Sequence, residues 1–222
     1  MRPAAAAAHA AGSRLTFARS RAMALRKPDR QKGPQMYPFI RFAKEMIKAR
    51  SAPPLGADGV HVSTHMCWPW DLDPWIELNN GRTLTLYDLG RIPMAARTGM
   101  VEVLRDKGWG ITVAGSSVRY RRRIKAFQRF TMVSKLEGWD ARFVYMTQSM
   151  WSRGECCNQL MVRSAITGPS GIVPPAEMVA ALGTDPVSPE LPDWIKAWIA
   201  ADAERPWPPH VPAAAAAAVA AS

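Results

Sequence analysis

Cysteine is scarce in this chain: Cys67, Cys156 and Cys157 are the only three. An odd number with two adjacent residues gives neither a disulfide framework nor a spaced metal motif, and it points to a reducing compartment, the cytoplasm. Histidine is almost as rare, at four residues. His9 and His210 fall near the ends of the chain, which leaves His61 and His65 for a folded site. On an extended strand those two stand about 13 Å apart, too far to share one ion, so no metal is expected. No run reaches about 18 consecutive apolar residues, so no membrane span is expected. The G-x-S-x-G elbow of a serine hydrolase is missing, as are G-x-x-x-x-G-K and H-E-x-x-H. Acid is nearly absent from the first 50 residues, which hold 12 Lys/Arg and 2 Asp/Glu, a balance of +10 out of +11 for the whole chain. The rest is almost neutral, so the basicity is not a nucleic-acid face of the folded part, and no nucleic-acid partner is expected.

What is present divides into three segments. Residues 1–35 form a basic Ala/Arg-rich tail without large apolar anchors, read as disordered. Its composition resembles an organellar import segment; the alternative is an upstream start, with the native chain beginning at Met23 or Met36. Residues 36–205 carry the folded domain. Residues 206–222, rich in Pro and Ala, are read as a second disordered tail.

Within the domain, Phe39, Phe42, Met46 and Ile47 recur at helical spacing, and Pro53-Pro54 ends that helix. Val60 to Trp68 alternates as a strand. A helix should begin near Gly81 with Asn79 as its cap. Leu89, Ile92, Ala96, Met100 and Val103 form its apolar stripe, and Lys107-Gly108 closes it. Pro93 must kink this helix or start a second one. Four strands follow, Ile111–Ile124, Phe127–Glu137, Arg142–Trp151 and Glu155–Ile166. The last three are joined by turns so short that they must be antiparallel neighbours. Short helices are expected after Pro174-Pro175 and from Pro192 to Ala201. One helix cannot bury itself, and an antiparallel sheet needs one face covered. The arrangement that satisfies both is an α+β hotdog fold: a five-stranded antiparallel sheet wrapped around a long central helix, with short flanking helices.

The stretch Asp71-Leu72-Asp73-Pro74-Trp75-Ile76-Glu77-Leu78-Asn79-Asn80-Gly81-Arg82 resembles the D-x-D-x-x-x-H-x-N-N-x-R signature of the 4-hydroxybenzoyl-CoA thioesterase-like superfamily. Tyr87–Arg91, Gly115–Arg122, Gly138–Tyr145 and Glu190–Trp194 extend the likeness in the right order, most closely to the branch called thioesterase superfamily member six. The resemblance implies thioester hydrolysis with Asp73 as the catalytic carboxylate, either a general base on water or a nucleophile. It also implies an oxyanion site at the helix start, around Asn79, Asn80 and Gly81, where unsatisfied N–H groups and the helix dipole favour negative charge. Glu77 stands where the pattern has His. With Asp71 and Asp73 it would make a cluster of carboxylates that repel one another. Glu77 and Asp88 are pocket candidates, Asp88 alternatively pairing with Arg91 or Arg82.

By strand alternation Arg119, Arg121 and Arg123 share one face, with Val118, Tyr120 and Arg122 on the other. Arg119, Arg121 and Arg122 are candidates for the phosphates of coenzyme A, or else a charged sheet edge that resists aggregation. No cofactor is expected beyond a coenzyme A thioester as substrate. The partners expected are an acyl-CoA or acyl-carrier substrate and a second copy, as a homodimer or a tetramer. The competing reading is a hotdog protein that binds acyl-CoA without turnover. A dehydratase ranks below both, because no His follows Asp73 nearby.

Overall fold

The computed structural model of the protein describes residues 37–56 and 58–220; the tail expected at 1–35 lies outside them. Helix α1 (Phe39–Ser51) leads into strand β1 (Val60–Met66), and a single 3-10 turn (Pro69–Asp71) precedes helix α2 (Asn80–Arg97). Helix α3 (Met100–Lys107) precedes strands β2 (Gly110–Tyr120), β3 (Arg129–Trp139), β4 (Phe143–Ser152) and β5 (Glu155–Gly168). A short β6 (Gly171–Val173), α4 (Pro175–Ala181), α5 (Asp193–Ala203) and α6 (Ala213–Ala220) complete the order. The sheet runs β1-β3-β4-β5-β2, every neighbour antiparallel, with β6 pairing β5. The five strands curl around α2 in the hotdog arrangement that the element order predicts. The extra β6 hairpin comes through Gly171, whose φ of +117° suits glycine. The alanine run is helical, as the best helix former allows. Among the described residues no helix is long and apolar enough to cross a membrane.

Helix α2 starts where Asn79 caps it, its side-chain oxygen accepting the Arg82 N–H at 3.0 Å. Pro93 lies inside the helix without ending it. The break comes instead at Gly99, whose φ of +80° is open to glycine, and α3 begins one residue on. The buried face of α2 is therefore not the stripe expected from spacing. Thr83, Leu86, Tyr87, Leu89, Gly90, Pro93 and Met94 are buried, whereas Ile92 and Ala96 are only half-buried. Leu86, Tyr87 and Leu89 join Cys67, Phe130, Met132, Met150, Leu160 and Val162 in the main core. Each such side chain contributes about 1.5–3 kcal/mol by leaving water. Gly90 permits the close approach of helix to sheet: a Cβ there would lie 2.5 Å from Met132 Sδ and 2.6 Å from Ser134 Oγ.

Met100 and Val103 serve a second core, in which α3 and α4 close one end of the sheet over Trp139, Val144 and Ile166. The outer sheet face is covered by α5, where Ile195 buries against Tyr145 and Met161. Arg163 pins this helix. Its guanidinium lies between the rings of Phe143 (4.7 Å) and Trp198 (5.0 Å) and 2.8 Å from Asp202.

Strand β1 alternates as read, but its inward side is the polar one. His61, Ser63 and His65 are buried against α1 and α2, while Val60 and Val62 stand 43% and 56% exposed on the outer face.

Candidate active site at the start of the central helix

The segment between β1 and α2 is held by its first aspartate. Asp71 is fully buried. It accepts hydrogen bonds from Arg41 of α1 (2.5 Å), from Arg82 of α2 (2.7 Å) and from the Trp68 N–H (2.9 Å). Its own carbonyl accepts the Asn79 N–H at 2.9 Å, which fixes the cap residue of α2. Asp73 has a different environment. It is half-buried, and its Oδ1 accepts the N–H groups of Trp75 (2.9 Å) and Glu77 (3.3 Å), while its own N–H bonds the Glu77 carbonyl at 2.8 Å. Glu77 pairs with Arg123 at 2.8 Å. Each of the three acids of this segment thus has its own cation or N–H donors.

The amino end of α2 opens on a cleft of about 230 Å³ lined by Glu77, Asn80, Thr83, Tyr120, Arg121 and Asn158, among others. Its first-turn N–H groups, including those of Asn80 and Gly81, have no acceptor within the helix. A neighbouring open cleft of about 590 Å³ is lined by Arg119, Arg121, Arg122, Glu155, Cys156, Asn158 and Gln159. The two share Arg121, Arg122 and Asn158. The alternation expected for the arginines stops early, because β2 ends at Tyr120. The N–H groups of Arg121 and Arg122 both donate to the Cys157 carbonyl, at 2.8 and 2.9 Å, and the two side chains reach the same cleft as Arg119.

Asp73 and Asp88 line neither cleft. Asp88 pairs with Arg91 one turn along α2. Burial pushes its carboxyl up, against the pull of Arg91 and the Tyr37 hydroxyl. Sequence reasoning passed over Asn158. It is buried, its Oδ1 accepts the Tyr87 hydroxyl at 2.5 Å, and it borders both clefts. The available signal is a polar residue in the inward row of β5 otherwise made by Leu160 and Val162. Tyr120, whose hydroxyl donates to the Asn80 carbonyl at 3.4 Å, borders the cleft at the helix start. Burial pushes its phenol up, so it stays a neutral donor.

The protein THEM6 of Xenopus laevis is 29% identical over 165 residues, spanning 72% of this chain and 78% of its own. The THEM6 protein of Drosophila melanogaster is 31% identical over 138 residues, 60% of this chain and 69% of its own. Among solved structures, Escherichia coli YbaW superposes with a TM-score of 0.52 over 55% of this chain and 96% of its own, at 14% identity, a likeness of fold alone. The model of the thioesterase-like superfamily matches residues 67–199, and this chain belongs to that superfamily.

Proposed function

We propose that the chain hydrolyses an acyl thioester of coenzyme A or of an acyl carrier to the free acid and thiol. The observation that carries this reading is the adjoining pair of clefts: one contains the amino end of α2, the other three arginines, and they meet at Arg121, Arg122 and Asn158. A thioester carbonyl at the helix start would receive N–H donors as its oxygen becomes anionic. The phosphates of coenzyme A would reach Arg119, Arg121 and Arg122, whose planar guanidinium groups suit bidentate contacts. Asp73 serves as base or nucleophile. As base it takes a proton from water while the water oxygen bonds to the carbonyl carbon, and the C–S bond then breaks to release the thiolate. As nucleophile its oxygen bonds to that carbon, the C–S bond breaks to release the thiolate, and water then cleaves the resulting anhydride to the free acid and the regenerated Asp73 carboxyl.

A second reading is favoured by Asp73 itself. Its Oδ1 is engaged by its own loop and the residue borders neither cleft, as suits a protein that binds acyl-CoA without turnover. Both readings take a second copy of the chain as partner. β2 is an edge strand with Ile111 and Val113 exposed, and a long bare edge is a template for pairing. Dimer or tetramer is decided by light scattering on the full chain, and a monomer at micromolar concentration would overturn the assembly.

The test of function is coenzyme A release by the full chain, followed by chromatography over short, long and aromatic acyl-CoAs. Hydrolysis that falls about a hundredfold in Asp73→Asn, the scale of a lost acid–base group, supports the first reading. Binding without release by either protein supports the second.

A further inference from the structure

Four large apolar side chains stand in water at the end of the molecule where the β1–α2 segment meets the segment before β3. Trp70 is 65% exposed, Trp75 76%, Ile76 69% and Phe127 61%. Trp70 and Phe127 are joined through Trp68, and Trp75 and Ile76 stand on the same segment between β1 and α2 as Trp70. Trp68 stacks on Trp70 at 5.2 Å and meets the edge of Phe127 at 6.1 Å. The Phe127 N–H bonds the Cys67 carbonyl, and Leu78 bonds the Ile124 carbonyl, so the two segments run together.

Two of the four are presented by strained backbone. Ile76 has φ +60° and Phe127 φ +58°, a region that β-branched and bulky residues avoid. Glycine would be at ease at either position, yet both carry an apolar side chain pointed into solvent. Strain held at an exposed apolar tip is the mark of a surface that binds something.

The charge beside this tip says what. Residues 121–130 hold Arg121, Arg122, Arg123, Lys125 and Arg129 and no acid. A cleft of about 480 Å³ beside Phe127 is lined by Arg122, Arg123, Lys125 and Arg153, with Glu155 as its only acid. Tryptophan and phenylalanine flanked by cations match the boundary of a bilayer, where rings settle at headgroup level and cations meet anionic lipid. We infer that this end of the domain docks on an anionic lipid surface, with Trp70, Trp75, Ile76 and Phe127 inserted at headgroup depth and a lipid phosphate held between Lys125 and Arg153. The inference stands apart from hydrolysis: it needs no turnover, and its test uses no thioester.

The experiment is co-sedimentation of the full chain with phosphatidylcholine vesicles, with and without phosphatidylglycerol. The basic leading segment attracts anionic vesicles by charge alone, so the test lies in variants of the full chain. Lys125→Gln with Arg153→Gln should weaken binding to the phosphatidylglycerol vesicles by about thirtyfold, at about fivefold per cation. Phe127→Gly should weaken it while leaving the unfolding midpoint unchanged or raised, since the strained position is relaxed. Brominated acyl chains should quench tryptophan fluorescence of the bound protein, and Trp70→Phe with Trp75→Phe should remove most of that quenching. Vesicle binding that is absent, or equal in wild type and variants, overturns the inference. So does a Phe127→Gly protein that sediments as a smaller species with unaltered vesicle binding, which would assign the patch to a second copy.

Discussion

The Arg82 guanidinium lies 2.7 Å from the Asp71 carboxylate and joins the first helical turn of α2 to the segment before it. Arg41 binds the other oxygen of the same acid, so one buried carboxylate ties α1, the 3-10 turn and α2 together. Two aspartates separated by one residue thus have different tasks, the first holding the frame and the second standing on it.

Replacing Asp71 by Asn leaves two mostly buried guanidinium groups facing a neutral amide. Breaking a buried pair from one side costs about 3 kcal/mol, and chemical unfolding of Asp71→Asn should show a loss of that order. A midpoint within error of wild type would remove Asp71 from its framing role.

Asp73 should behave in the opposite way. Its Oδ1 caps two backbone N–H groups, and Asn keeps that oxygen, so Asp73→Asn should unfold at nearly the wild-type midpoint. Asp73→Ala loses both bonds and should be less stable by about 1 kcal/mol. Parallel denaturation curves of the two variants measure the difference.

Gly90→Ala tests the closeness of α2 to the sheet. Alanine favours a helix by about 1 kcal/mol, but its methyl would meet Met132 Sδ, Ser134 Oγ and Gln148 Nε2 at 2.5, 2.6 and 3.1 Å. Overpacking of this kind costs about 1–3 kcal/mol, so the variant should be less stable than wild type. A more stable one would mean that the sheet yields without penalty.

Acid should weaken the fold through His65. Burial holds its imidazole down at about 4 from an ordinary 6.5, opposed by Glu45 and aided by Lys44, Lys48 and Arg41. Ser63 Oγ lies 2.8 Å from its Nε2. The unfolded chain takes up this proton near pH 6.5 and the folded chain only near pH 4. Stability therefore falls as pH drops through that window and levels off below it, by about 3 kcal/mol in all. Urea midpoints against pH for wild type and His65→Gln should diverge there, and parallel curves would show that His65 is not buried as a neutral ring. His61 adds in the same sense. Its imidazole is lowered by burial and then by Arg97, whose Nη1 donates to its Nδ1 at 3.1 Å.

The element order and the tight turns were open to reading from sequence, because Asn79, Gly108 and Gly154 punctuate the chain and the strand runs are long. The facing of elements was less so. Alternation along β1 is plain, but hydrophobicity alone selects the wrong side as inner, since the partners of His61 and His65 lie on α1 and α2, far along the chain. The stripe on α2 failed for a related reason. Met100 and Val103 continue its spacing across Gly99, where the backbone departs from the helix. In the site, local spacing marked the cap at Asn79. Two of the ion pairs made by Asp71 and Glu77 join residues 30 or more positions apart, Arg41 to Asp71 and Glu77 to Arg123, and no local pattern announces them. Arg122 entered the cleft through the break after Tyr120, which strict alternation cannot foresee.

The clamp of Arg163 between Phe143 and Trp198 bears on the order in which the protein is made. Synthesis completes the six strands of the described residues before it reaches Asp193, the first residue of the helix that covers the outer sheet face. Until that helix emerges, Tyr145, Met161 and the Phe143 ring stand uncovered on a finished sheet, the kind of transient apolar surface on which nascent chains associate. Helix α5 is thus also the closing step of the sheet, and a ribosome that stalls short of Trp198 would leave a chain already folded within and adhesive without.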